Sequence, residues 1–312
     1  MHSCYIEFGN QEKVAVVYMV RTQKPFGFTL IELLVVVAII GILVGLLLPA
    51  IQMVREASRR TACSNRVRQC SLAVTNYEVA LRRFPSGVTG LASEFSFQSW
   101  LQQLLPYVDQ GSVLERALDD YEFHVSPFEG HAGLQTVITV YQCPSDPASG
   151  RAHWTHESLL VASTNYLGVN GTNYLEKDGV LFSDSEIRLS EITDGTSNTL
   201  LMGERPPSPD FWFGWWYTGF GQDGTGSGDM VLGVAELKAN DTSFLEGCRP
   251  GPYGFSRGQN DQCDALHFWS HHPGGALFGM CDGSVHFISY ADELVLAQLA
   301  TRAGGEIDSL SN

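Results

Sequence analysis

From Leu33 to Ile51 the chain runs nineteen residues without a charge, most of them Leu, Ile and Val. Extended back to Phe28, the apolar stretch is 24 residues long and holds one acid, Glu32. As a helix rising about 1.5 Å per residue it reaches roughly 36 Å, enough for a bilayer core of about 30 Å. A core helix of a water-soluble domain keeps a polar face, and Leu33–Ile51 has none. The sequence therefore predicts a membrane-spanning helix over 28–51. A cleavable secretory signal fits poorly, because Pro49-Ala50-Ile51-Gln52-Met53-Val54-Arg55 offers no small-x-small cleavage site. A lipid-attachment signal is also missing, since Cys63 lies well beyond the run.

Charge divides the chain of 312 residues unevenly. Residues 1–83 carry 10 basic and 5 acidic side chains, whereas residues 84–312 carry 9 and 29. Binding to phosphate backbones depends on Lys and Arg displacing counterions, so a segment this acidic excludes nucleic acid as a partner.

The polar punctuation lies before the apolar run. Gly27-Phe28-Thr29-Leu30-Ile31-Glu32-Leu33-Leu34 resembles the type IV prepilin signature shared by pilins and by the pseudopilins of type II secretion. The resemblance implies that a membrane prepilin peptidase cuts between Gly27 and Phe28 and methylates the new amino terminus. Glu32 then becomes the fifth mature residue, where the family keeps a glutamate that pairs with a neighbouring subunit. Pro49 becomes the twenty-second, where the family commonly has a helix-kinking proline. A carboxylate costs about 2.5–3.5 kcal/mol at the centre of a membrane helix unless partnered, so an unpaired Glu32 favours assembly. The bland alternative is a glutamate that snorkels to the interface.

Two features depart from the simplest prepilin. A leader of residues 1–27 is long, and Met19 offers an internal start that makes 1–18 a mis-called beginning. The arginines 55, 59, 60, 66 and 68 follow the run while Lys13, Arg21 and Lys24 precede it, which opposes a cytoplasmic leader. The processing signature outweighs this, since the peptidase site requires Gly27 on the cytoplasmic side. The expected location is the inner membrane, single-pass, with the C-terminal head periplasmic or extracellular, and surface filaments as a further destination.

Ile51, Val54, Ser58, Thr61, Val67, Cys70, Val74, Tyr77 and Leu81 recur at mostly three- and four-residue steps, predicting that one helix continues over 28–83 with a face that packs. Phe84-Pro85-Ser86-Gly87 stops it. Residues 84–312 read as one α+β domain, with short helices at Trp100–Leu105, Gly111–Leu118 and Asp292–Ala303 and turns at Asp178-Gly179, Asp194-Gly195 and Asp282-Gly283. The expected fold is thus α+β and pilin-like, a long N-terminal transmembrane and amphipathic helix packed on an enlarged, antiparallel β-rich head.

Further segments occur in order: Cys63-Ser64-Asn65-Arg66-Val67-Arg68-Gln69, Phe84-Pro85-Ser86-Gly87, Cys143-Pro144-Ser145-Asp146, Asn165-Tyr166, Ile192-Thr193-Asp194-Gly195-Thr196-Ser197-Asn198-Thr199, Gly203-Glu204, and His272 nine residues before Asp282-Gly283. The set resembles a large bacterial family of prepilin-like proteins with a C-terminal His-x9-Asp-Gly segment and a big domain of unknown function. It covers nearly the whole mature chain and names the export route better than the final task.

His272, Asp282 and Gly283 admit three readings. Asp-Gly between two apolar runs is a hairpin signal, with His272 bonded to nearby backbone. A metal site using His267, His271 or His272 with Asp282 suits zinc chemically but lacks a closed ligand spacing. A hydrolytic Ser/His/Asp site lacks a Gly-x-Ser-x-Gly elbow, and no catalytic residue is assigned. Phe211-Trp212-Phe213-Gly214-Trp215-Trp216-Tyr217 reads as a strand buried on both faces or as a binding platform. The acidic loops Gln222–Asp229 and Asp178–Glu186 are candidates for calcium without an EF-hand pattern; no other cofactor is implied.

Of seven cysteines, Cys4 leaves with the leader and six remain in an oxidising compartment. Cys63 and Cys70 are seven apart on a helix, a rise of about 10.5 Å, too far to pair. Cys248 and Cys263 bracket a Gly/Pro-rich loop and are expected to close it; Cys63 with Cys143 would tie helix to head. Two function classes remain: a filament-forming pilin or pseudopilin subunit, and a membrane-tethered protein whose head recognises glycans or proteins.

Overall fold

The computed structural model describes residues 28–155, 157–239 and 245–305; Gly27, the rest of the leader and Cys4 lie outside the described residues. The chain divides into two compact units, residues 1–53 and 54–312. A single helix, α1 (Leu30–Leu81), runs through Pro49. In the first unit every apolar side chain from Phe28 to Met53 is exposed. By length and composition this segment can cross a membrane.

The second unit is built on a five-stranded sheet in the order β5-β3-β4-β6-β7. Its strands are β3 (Tyr166–Gly171), β4 (Leu200–Glu204), β5 (Val231–Gly233), β6 (Gly275–Met280) and β7 (Val285–Ser289); a separate ribbon pairs β1 (His153–Trp154) with β2 (Leu160–Val161). All neighbours in the large sheet are antiparallel except β3 and β5. Strands β3, β4 and β6 are buried at every residue, because both faces of the sheet are covered. On one side Tyr166, Leu201, Met202 and Leu277 join the core that receives α1. On the other, Leu167, Val169, Leu200, Phe278 and Met280 meet Leu296 and Leu299 of α4 (Glu293–Leu299).

Helix α1 docks through Cys63, Val67, Cys70, Ser71, Ala73, Val74 and Tyr77. Burying one valine side chain is worth about 1.5–3 kcal/mol, so Val67 and Val74 alone anchor the helix strongly. The approach is close enough that a Cβ on Gly279 of β6 would lie 2.7 Å from Ser71 Oγ and 3.1 Å from Val67 Cγ1. The expected packing face is corrected at both ends: Ile51, Val54, Ser58, Thr61 and Leu81 are exposed. Apolar burial starts only at Cys63, although Glu56 already reaches His272. Two arginines of α1 also reach the head. Arg60 stacks 4.4 Å above the Phe287 ring, and Arg66 donates to the Gln142 carbonyl at 2.7 Å.

Other boundaries also shift. The helix expected at Trp100–Leu105 is α2 (Trp100–Gln103), capped by Ser99 and followed by a 3-10 turn at Leu105–Val108 whose first turn accepts Pro106. Gly111 begins α3 (Gly111–Phe123), five residues longer than expected. The aromatic segment 211–217 forms neither the expected strand nor an exposed platform. Its backbone is irregular, Phe213, Trp215, Trp216 and Tyr217 are buried, and the indole N–H of Trp216 donates to the Thr136 carbonyl.

Candidate functional site

Motif segments far apart in sequence converge beside α1. Glu56 and Cys63 are seven residues apart on that helix, two turns along one side. Cys143 follows the 3-10 turn Thr139–Tyr141, Glu204 ends β4, and His272 lies in the loop before β6. Cys63 and Cys143 form a disulfide with Cα atoms 5.1 Å apart, closing a separation of 80 residues.

His272 stands at the centre, its side chain fully buried. Its Nδ1 lies 2.6 Å from Glu56 Oε1, and its Nε2 faces Cys143 Sγ at 3.5 Å and Glu204 Oε1 at 3.4 Å. Glu204 is 1% exposed; its Oε2 accepts from the Leu277 N–H at 2.8 Å, whereas Oε1 accepts no hydrogen bond among the described residues. Burial works against a charge on His272, but the Glu204 and Glu56 carboxylates outweigh it and raise its pKa above the usual histidine value. Burial also disfavours ionised Glu56, yet His272 and Arg59 hold its carboxyl below the usual range.

A second layer holds the Cys143 loop. Asn165 Oδ1 accepts from the Cys143 N–H at 2.7 Å, while its amide donates to Asp146 Oδ2 at 2.5 Å. Asp146 Oδ1 is 3.5 Å from His271 Nε2. Thus Cys143-Pro144-Ser145-Asp146, Asn165, Gly203-Glu204 and His272 build one site.

The expected metal set of His267, His271 or His272 with Asp282 is not assembled. His267 pairs with Asp264 at 3.0 Å, and His271 faces Asp146. Between His272 and Asp282 lies all of β6, about 20 Å of extended chain. Asp282 and Gly283 instead make the β6–β7 turn: Gly283 takes φ +86°, and Asp282 Oδ1 accepts from the Ser284 N–H at 2.8 Å. The expectation that His272 bonds nearby backbone is likewise corrected, since its ring nitrogens meet carboxylates. A hydrolytic relay is not formed here either. Ser145 Oγ and Glu56 both approach Nδ1 of His272, whereas a relay needs nucleophile and acid on opposite ring nitrogens.

The sequence reading missed Glu56 and gave Glu204 no role. Glu56 carried a signal, being the lone acid between residues 33 and 77 within an arginine-rich stretch.

Elsewhere, Cys248 and Cys263 are bonded across fifteen residues. Cys70 and Cys281 are free but buried, and burial pushes the Cys70 thiol up to about 12, leaving it unreactive. In the two acidic loops the carboxylates fasten backbone and neighbouring side chains. Asp178 accepts from Thr172, Asp184 from the Gly90 N–H, and Glu186 pairs with Arg83. Asp229 Oδ2 accepts from the Gly221 N–H at 2.7 Å. Burial pushes the Asp229 carboxyl up to about 7 against that bond and the Arg205 charge.

The raised Asp229 value has a consequence for stability. Between its unfolded pKa near 4 and about 7 the folded state holds a proton that the unfolded state has lost, so stability falls as pH rises, by about 1.4 kcal/mol per unit. Asp229→Asn removes that slope. Denaturant unfolding should show the variant gaining on wild type between pH 4 and pH 8; an equal difference at both pH values would refute a protonated Asp229.

The family model described as a protein of unknown function (DUF1559) matches residues 52–293, and the prokaryotic N-terminal methylation motif matches residues 23–48. Comparison with curated proteins and with solved structures finds no match.

Proposed function

The chain belongs to the DUF1559 family and carries a prepilin methylation motif, and on that premise we propose that its mature form is a pilin-like subunit of an envelope-spanning filament. The observation that carries the reading is the joint occurrence of the methylation motif and a helix whose apolar part is wholly exposed. In this reading the prepilin peptidase cuts between Gly27 and Phe28 and methylates Phe28. Helix α1 crosses the inner membrane once, with the leader cytoplasmic and the head outside. Exposed apolar helices from neighbouring subunits then bury one another on leaving the bilayer, which is the driving force for a filament core. The Cys63–Cys143 and Cys248–Cys263 disulfides fit an oxidising compartment.

A second reading, a membrane-tethered recognition protein, draws support from the exposed aromatic surface around Trp154, which is 66% exposed, and the nearby His153–Phe211 stack. Sheared surface material, imaged in vitreous ice and probed with antibody to the head, separates the two. Filaments containing this chain support the first reading; a head found only in membranes supports the second. Terminal mass spectrometry should find N-methylated Phe28, and a start elsewhere, such as after Ala50, overturns both.

A further inference from the structure

The cluster around His272 has the composition of a tetrahedral metal centre once the Cys63–Cys143 disulfide is open. Cys63, Cys143, Glu204 and His272 are all buried, and their ligand atoms lie within 4.8 Å of one another. Zinc with bonds of about 2.3 Å to sulfur and 2.0–2.1 Å to nitrogen or oxygen sets ligand atoms roughly 3.4–3.8 Å apart along the edges of its tetrahedron. His272 Nε2 is 3.5 Å from Cys143 Sγ and 3.4 Å from Glu204 Oε1. These two edges are present in the oxidised protein, whereas the Cys63–Cys143 edge is closed by the S–S bond and opens only on reduction.

Two independent features point to a ligand at this place. Glu204 Oε1 is buried and, apart from the His272 Nε2 at 3.4 Å, meets no donor among the described residues, although a buried carboxylate oxygen normally finds closer ones. Glu56 accepts from Nδ1 of His272 at 2.6 Å. That carboxylate orients the ring so that Nε2 faces Cys143 Sγ and Glu204 Oε1, as carboxylates behind metal-bound histidines do.

We propose that Cys63, Cys143, Glu204 and His272 bind a divalent thiophilic cation, zinc above all, when the two cysteines are thiols, so that disulfide and metal are alternative closures of the same loop. The newly made chain enters the site with both thiols reduced. Binding forms two metal–sulfur bonds, one metal–nitrogen bond and one metal–oxygen bond. It releases the two thiol protons and, from an imidazolium, the Nε2 proton. Glu56 does not touch the cation and stays bonded to Nδ1.

The test uses the full chain in detergent micelles, in a Cys248→Ser/Cys263→Ser background that removes the other dithiol. A phosphine opens the Cys63–Cys143 bond, taking oxygen from water to leave as its oxide, and Co²⁺ is titrated without air. One cobalt per chain should bind, with thiolate-to-metal charge transfer in the near ultraviolet and strong tetrahedral ligand-field bands, and zinc should displace it. The bands should be absent from oxidised protein and from Cys63→Ala/Cys143→Ala. Glu56→Gln should retain them while weakening affinity about 10–100-fold. Reduced protein that takes up no cobalt, whether or not it stays folded, overturns the proposal. So does an unchanged spectrum from the double alanine variant.

Discussion

Cells whose only copy carries Glu32→Ala should assemble no filaments of this chain, while the variant is cut, methylated and inserted as fully as wild type. Cleavage reads the junction at Phe28 and insertion reads apolarity, and neither depends on this carboxylate. Assembly does in the proposed reading. Among the described residues of the single chain, Glu32 Oε2 accepts only from the backbone N–H and hydroxyl of Thr29, at 2.8 and 2.7 Å. Those donors leave its charge uncompensated, at a cost of about 2.5–3.5 kcal/mol toward the bilayer centre. A neighbour's terminal ammonium at Phe28 would neutralise that charge, and burial among packed helices would strengthen the attraction. Glu32→Asp, one methylene short, should give an intermediate yield. Immunoblots of sheared and membrane fractions measure it, and wild-type filament yield from the alanine variant would refute the pairing.

What could be read from the chain, and what could not, follows the range of the forces involved. The membrane span and the Gly27-Phe28…Glu32 signature are local and visible in a window of a few turns. The β6–β7 hairpin is equally local, since Asp282-Gly283 supplies the turn and its flanks supply the strands. The docked face of α1 was legible only in part. Periodicity marks an apolar stripe from Ile51 to Leu81, but the part that is buried depends on where the head closes over the helix, from Cys63 onward. The segment 211–217 misled for a related reason. Six aromatics in seven residues signal burial, yet irregular backbone buries them as well as a strand when side-chain and loop partners such as the Thr136 carbonyl are at hand. The site itself was present as scattered motif residues without its geometry. Glu204 reaches His272 because β4 pairs with β6, a contact some seventy residues apart that no local pattern encodes. Asp282 was grouped with His272 on sequence proximity, and the intervening strand carries it to the far end of the sheet.

The pairing across that sheet makes the second strong prediction. In oxidised protein near neutral pH, His272→Leu should destabilise the head by about 3–5 kcal/mol, the usual cost of stripping one partner from a buried ion pair. The size comes less from the lost contact than from what remains. Glu204 is 1% exposed and, among the described residues, its Oε1 meets only His272 Nε2, at 3.4 Å, so without His272 its charge has no compensation in the core. Glu56 suffers less, because its side chain is 17% exposed and also bonds Arg59. The prediction separates from simple overpacking by a second substitution. Glu204→Gln removes the stranded charge while its amide oxygen can still accept from the Leu277 N–H. The double variant His272→Leu/Glu204→Gln should therefore recover most of the loss, giving a large favourable coupling in a double-mutant cycle. Denaturant midpoints of the four proteins decide. Additive effects would mean that His272 and Glu204 stabilise the fold independently, and would refute the pairing.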